Sequence, residues 1–286
     1  MTFGWVPDRP DIRDFTICSP SIAVQLSKVT AKKRRRSRAE ADNGAVDLRE
    51  FCPPIEDQGP LGSCTANAGI GLVEYFERRT YGRHVEASRL FLYKATRNLL
   101  HWTGDTGANM RATMKALVLF GAPPEEYWPY TVKGFDTEPT AFCYAFAQSY
   151  QAIQYYRLDP PGTTGSTVLA HIRTALDDGL PSMFGFPVYA SMEQAASTGR
   201  IPCPSPNDRV VGGHALVAIG YDDRIPITNS DTGGMTTQGA LLVRNSWGTA
   251  WGERGYGWLP YEYVVRRQAV DWWSLSKSEW FDNGGF

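Results

Sequence analysis

Cys64 stands in EDQGPLGSCTANAGIGLVEYFERR, Glu56 to Arg79, where a glycine-rich turn gives way to an apolar run of helical period. A thiol attacks carbon only as thiolate, and near neutral pH a free cysteine is mostly protonated. Two devices lower its pKa, the positive end of a helix and a neighbouring imidazolium. The position at a helix start supplies the first. Four histidines compete for the second role. His84 follows YGR in a polar turn, His101 lies in the loop LLHWTGD, and His171 sits in an amphipathic helix; all three read as surface or satisfied side chains. His214, in VVGGHALVAIGY, follows two glycines and enters a strongly apolar strand. The glycines admit a close backbone or substrate approach, and the strand would hold the imidazole rigidly, so His214 is the best partner.

A base must itself be oriented by a third group. LLVRNSWGTAWGERGYGW offers Asn245, whose amide oxygen could accept from the imidazole, and Trp247, which could shield that bond from water. The tetrahedral intermediate of acyl transfer needs hydrogen-bond donors for its oxyanion. The Cys64 backbone N–H is one candidate, and the side chain of Gln58, in DQGPLGSC, is another. Taken singly, each residue has a plainer reading: a buried structural cysteine, a core histidine, a turn asparagine. Together they read as nucleophilic catalysis, which requires neither metal nor organic cofactor. Cys18, Cys52, Cys143 and Cys203 are too scattered for a metal cluster.

Around these residues the pattern divides in two. Residues 65–79, a segment opened by Ser88, residues 110–120 and residues 167–179 have helical spacing and stop signals. Gly69 and Gly71 in the first of them hint at close packing. Afterwards PSMFGFPVY, GGHALVAIGYD, GALLVRNSWG and GYGWLPYEYV read as short strands punctuated by glycine. A helical first half and a β second half predict an α+β fold with a cleft between the halves. The boundaries fall at residues 1–45, 46–155 and 156–286. Residues 1–45 lack the makings of a core and read as an extended arm ending in an exposed linker. That linker carries six basic residues within Lys32–Arg38. It is read as a solvated run, with processing or contact with a polyanion as the alternatives.

The 286 residues are 42% hydrophobic and 21% charged, enough to bury a real core, and the net charge of −1 creates no global field toward nucleic acid or membrane. Apolar stretches are too short for a membrane span. The start does not read as a secretory signal, and five cysteines do not form a dense disulfide framework. A cytoplasmic, reducing location is the expectation.

These motifs resemble the papain-like cysteine peptidases. VDLREFCPPIEDQGPLGSC is similar to the family's mature start leading to the nucleophile, GGHALVAIGY to its histidine segment and VRNSWGTAWGERGYGW to its asparagine segment, in family order from about Val46 to Val270. The resemblance implies a two-domain papain-like fold with a helical half and a β-barrel-like half. It implies Cys64 as nucleophile, His214 as base and acid, Asn245 as orienter, Gln58 as oxyanion glutamine and Trp247 as cover. Gly107 and Ala108 fall in a stretch like the family's substrate wall, Met110 and Gly185 at positions like its main specificity pocket, and Gly213 beside the base. The expected substrate is a peptide or protein, cleaved through a thioester acyl-enzyme.

The sequence departs from the family at Leu61 and Asp105, where many members carry a disulfide's cysteines. It also departs at Thr65, where an aromatic residue is usual, and in the polar run DDRIPITNSDTGGMTTQ, read as a loop insertion. Residues 1–45 are fewer than the long helical pro-region of many members. Lying where that region lies, they are expected to form a short cover for the cleft, with SIAVQLSKV in the groove. A thiol acyltransferase or isopeptidase using the same triad, and an inactive binding relative, are the alternative functions.

Overall fold

The computed structural model describes residues 2–36, 44–150 and 154–276, with residues 29–36 as backbone alone. In chain order the elements are α1 (Pro20–Arg36), β1 (Ala45–Asp47), α2 (Cys64–Tyr81), α3 (Arg89–Leu100), α4 (Met110–Leu119) and α5 (Ala141–Ala147). There follow β2 (Gln154–Arg157), α6 (Gly165–Asp177), β3 (Ser182–Tyr189), β4 (Val210–Thr228), β5 (Thr236–Arg244), β6 (Tyr256–Pro260), α7 (Tyr261–Val265) and β7 (Val270–Ser276).

Local chemistry accounts for the helix ends. Ser88, Asn109, Thr140 and Thr164 each accept a hydrogen bond from a backbone N–H in the first turn of α3, α4, α5 and α6, satisfying donors that the helix cannot use. Gly82, at φ 72°, closes α2 in the left-handed conformation that glycine adopts freely.

The helix α2 is buried from Cys64 to Phe76 and packs against α3, α4 and strands of the sheet. Its glycines permit that approach. A Cβ on Gly69 would lie 3.2–3.3 Å from Thr113, Leu117 and Leu92, and one on Gly71 would lie 2.8 Å from the Arg244 guanidinium.

The sheet is seven-stranded and antiparallel, in the order β2-β7-β3-β4-β5-β6, with β1 added alongside β4. The expected β-barrel-like half is thus an open sheet whose path ends at β2 and β6. Register shifts between Ala218 and Gly220 and between Asp222 and Pro226 bend β4 without bringing the ends together, as bulges do. The run read as a loop insertion is mostly strand: β4 continues through Thr228 and pairs with β5. Ile227 is buried there, so alternation within DDRIPIT had marked a hairpin.

The N-terminal segment departs most from expectation. It packs on the body: Trp5 and Ile22 are buried, and SIAVQLSKV lies in α1, away from the groove, with Gln25 accepting a hydrogen bond from Ser276 at 2.6 Å. The α1 backbone runs through the first five basic residues. The side chains of the run Lys32–Arg38 lie outside the described residues.

Candidate active site

Cys64 is the first residue of α2, and Ser63 before it makes no side-chain cap. The first-turn N–H groups are therefore free to face the thiol. The Cys64 thiol is fully buried, and burial pushes its pKa up to about 12, opposed by backbone N–H groups of Ala215, Gly4, Thr65 and Cys64 itself. His214 lies on β4 beside Ala215 and is also fully buried. Its Nε2–H donates to Asn245 Oδ1 at 2.8 Å. In the neutral ring Nδ1 is then the basic nitrogen, and it has no hydrogen-bond partner among the described residues. Burial lowers the His214 pKa to about 4, with the Asn245 bond opposing. Trp247 stacks on the imidazole, centroids 4.3 Å apart and planes 19° apart, and covers it from water.

Asn245 follows the end of β5, and its Oδ1 also accepts from Ser246 N–H at 2.7 Å. Gln58 is fully buried. Its Nε2 donates to Leu61 O at 2.8 Å and Thr2 O at 3.3 Å, while its Oε1 accepts from Ser246 Oγ at 2.7 Å. Tyr130 OH donates to Gln58 O and contacts Ser63 Oγ, tying the turn that carries Gln58 to the start of α2. Thr65 is wholly buried. Asp105 accepts from Gly62 N–H at 2.9 Å and from Tyr93 OH at 2.5 Å, and Gly107 N–H donates to the same tyrosine oxygen at 3.0 Å. Hydrogen bonds therefore join the stretch Asp105–Gly107 to the turn before Cys64, and all five cysteines are free.

The cleft between these groups is filled by residues 3–6 of the N-terminal segment, where the sequence reading had put SIAVQLSKV. Ala108 N–H donates to Gly4 O at 2.8 Å and Val6 N–H to Ala108 O at 3.0 Å, a parallel bridge between Trp5 and the wall. Gly4 and Trp5 N–H both donate to Gly213 O at 3.0 Å. A Cβ on Gly4 would overlap the Gly62 carbonyl, and one on Gly185 would overlap the Trp5 indole. The indole thus occupies space that glycine on β3 leaves open, beside Gly213. Phe3 stands edge-on to His214 and Trp247, at 6.4 and 6.2 Å. Met110, first in α4, is buried in the same core as Trp5. Beyond Thr2 a cleft of 360 Å³ stays open, lined by Asp57, Gly59, Ala196, Trp247, Ala250 and Trp251. The signal for the occupant was the aromatic pair in Thr2–Trp5, too short to show any periodicity.

Further along the segment, charge replaces main chain. Arg111 pairs with Asp8 and, at 2.8 Å, with Asp14, and stands over the Trp273 ring. Arg157 pairs with Asp14 at 3.5 Å and with Asp159 and Asp271 at 3.1 Å each.

Comparison with known proteins places the chain in a family. A family model described as papain family cysteine protease matches residues 43–267. An uncharacterized peptidase C1-like protein of Acanthamoeba polyphaga mimivirus is 32% identical, the match covering 96% of this chain and 86% of that protein. A cathepsin L-like proteinase of Fasciola hepatica is 27% identical over 234 residues, 76% of this chain and 61% of that protein. Among solved structures, xylellain, a cysteine protease from Xylella fastidiosa, superposes with a TM-score of 0.75 at 32% identity, covering 96% of both chains. The bromelain protease of Ananas comosus, in complex with the E64 inhibitor, shares the fold at 20% identity, with a TM-score of 0.60 over 82% of this chain and 98% of that one. The α+β architecture is thus papain-like. A family match across most of the sequence, with two relatives at this identity over nearly its full length, makes the chain a member of the papain family of cysteine proteases.

Proposed function

We propose that this cysteine protease is an endopeptidase working through Cys64, His214 and Asn245, and that residues 2–6 must leave the cleft before substrate enters. The observation that carries the reading is the His214–Asn245 bond of 2.8 Å under Trp247, which leaves Nδ1 as the base in a site that begins a helix with a thiol. With the cleft open, His214 takes the Cys64 proton and the thiolate attacks the peptide carbonyl carbon, forming a C–S bond. The Cys64 N–H and the Gln58 amide hold the oxyanion. The imidazolium returns its proton to the amine as the C–N bond breaks. Water, deprotonated by His214, then releases the acid from the thioester. Gly107 and Ala108 pair with the substrate backbone, the space bounded by Met110, Gly185 and Gly213 receives a side chain, and Trp247 floors the leaving-group side.

The same reading makes residues 2–6 a cover. They occupy the groove by main-chain pairing, and tethering gives such a segment an effective concentration on the order of millimolar. The test is a peptide-library digest by the wild-type chain and by Cys64→Ala, each with and without residues 1–17. Hydrolysis by the shortened wild-type chain and none by either Cys64→Ala protein is the expected result. Turnover by the alanine variant would remove Cys64 from the nucleophile's role. Transfer of the acyl group to an added amine in preference to water would favour an acyltransferase.

A further inference from the structure

We infer that Asp105, acting with Tyr93, is a positioning residue that sets the spacing between the turn before Cys64 and the stretch Gly107–Ala108; the inference rests on the peptidase reading above, in which that stretch is the wall that pairs with substrate. The main chain of Gly4 lies between the two. A Cβ on Gly4 would meet Gly62 O, and one on Gly107 would meet Gly4 O, so the slot admits a backbone and little else. Turn and wall also approach each other directly: a Cβ on Gly62 would lie 3.4 Å from Gly107 N and 3.2 Å from Asp105 Oδ1. Spacing this close needs a brace, and with all five cysteines free it is not a disulfide.

The brace is a hydrogen-bond relay that meets at one oxygen. Asp105 Oδ1 accepts from Gly62 N–H at 2.9 Å and from Tyr93 O–H at 2.5 Å. The phenol oxygen in turn accepts from Gly107 N–H at 3.0 Å. Burial and the Asp105 carboxylate both push the Tyr93 pKa up, so the phenol keeps its hydrogen and directs it at Asp105. The far end of the wall is held separately, where Arg97 donates to Gly104 O and Asp136 Oδ2 accepts from Gly104 N–H at 3.0 Å. Asp105 and Tyr93 therefore fix the end that faces the turn. Gly62, Tyr93 and Gly107 are buried, whereas Asp105 is exposed. Water entering in place of the carboxylate can satisfy the stranded donors, but it is not tethered to the chain and cannot hold turn to wall.

In the proposed reaction the wall holds the substrate backbone, while the turn carries Gln58 and leads into the Cys64 N–H. Their spacing decides whether a peptide paired with the wall presents its carbonyl to the thiol, and a misplacement of about 1 Å can cost about 100-fold in rate. A substrate too short to reach the wall does not use the brace.

The experiment uses the full chain carrying Trp5→Ala in every sample, which weakens the occupant. Two substrates are compared, a fluorogenic peptide long enough to pair with the wall and p-nitrophenyl acetate, whose acetyl group does not reach it. Asp105→Ala should lower kcat/KM on the peptide by about 10-fold or more and leave the ester rate nearly unchanged. Asp105→Asn, whose amide oxygen can accept the same two bonds, should lose less than about threefold. Tyr93→Phe should lower the peptide rate alone, and adding it to Asp105→Ala should cost nothing more. Equal losses on peptide and ester, an undiminished peptide rate in Asp105→Ala, or additive losses in the double variant overturn the inference. A crystal structure of Asp105→Ala gives a readout independent of turnover. A wider gap between Gly62 and Gly107 is expected, and an unmoved pair overturns the role. A Trp5→Ala parent that cleaves neither substrate would count against the peptidase reading instead, and the crystal structure would still decide the brace.

Discussion

Residues 3–6 and residues 8–14 belong to one continuous segment but grip the body by different means. The first stretch uses main-chain bonds to Ala108 and Gly213 and the rings of Phe3 and Trp5. The second uses carboxylates on Arg111 and Arg157. The side chain of Asp14 is 5% exposed and that of Arg157 4%, so salt screens this pair weakly. In the function proposed above, the cleft end occupies the positions a substrate backbone takes and so competes with it. The charged end contacts none of Cys64, His214, Asn245 and Gln58 among its ion pairs, and in the same proposal it keeps the first end in place. Binding in the groove and retention beside it are thus separable.

The largest effect should come from losing both ends. Removing residues 1–17 is expected to raise kcat/KM on a small peptide by about 100-fold or more, and added Thr2–Ile17 peptide should reverse part of the gain. Equal kinetics for the two proteins, both folded by circular dichroism, would show that the segment does not cover the site.

Single substitutions sharpen the contrast. Trp5→Ala empties a buried indole position, a change typically worth about 3–5 kcal/mol, and should raise activity by at least 10-fold with little dependence on salt. Arg111→Gln should raise it less, by about threefold to tenfold, and should flatten whatever salt dependence the wild type has. If the two variants respond to salt alike, the division between the ends fails.

The smallest effect concerns Asp271 in the charged cluster. Its pKa is raised to about 6, first by burial, then by Asp159 and Asp8, with Arg157 and the Asp8 N–H opposing. Below about pH 4 the acid is protonated in both the folded and unfolded protein, and its contribution is intact. As pH rises through about 6, the folded protein must ionise a buried acid that the unfolded chain ionises freely, and stability is lost. Asp271→Asn keeps the neutral form and suits the φ of 60° at this position. It should stabilise the protein by roughly 1–3 kcal/mol at pH 8, and the gain should vanish near pH 4 in thermal melts.

The α+β division, the four helices α2, α3, α4 and α6 and the central strands were legible because period, caps and glycine stops act locally. The cap at Ser88 and the stop after residue 120 mark α3 and α4 within a residue or two, whereas the cap at Asn109 was not read. The strand β7 was missed although WWSLS is strongly apolar, since its partners β2 and β3 are remote in sequence. Cys64, Gln58, His214 and Asn245 stood out through residue type beside turns and glycines. Ser246 and Asp105 did not, because a serine hydroxyl or an aspartate acquires its task from the group it happens to meet. Thr2–Val6 was not read as the occupant: two aromatic residues in so short a stretch set no period, and main-chain pairing with a groove leaves none. What had drawn notice there, SIAVQLSKV, proved to be a helix with Ile22 as its buried anchor.

The filled cleft has a chemical consequence for the nucleophile. Peroxides and alkylating agents react with thiolates that solvent can reach. With Gly4 laid beside it, the Cys64 sulfur is buried, and burial pushes its pKa up to about 12. In the function proposed above, the segment that covers the cleft also shields the sulfur from oxidation to sulfenic and sulfinic acid.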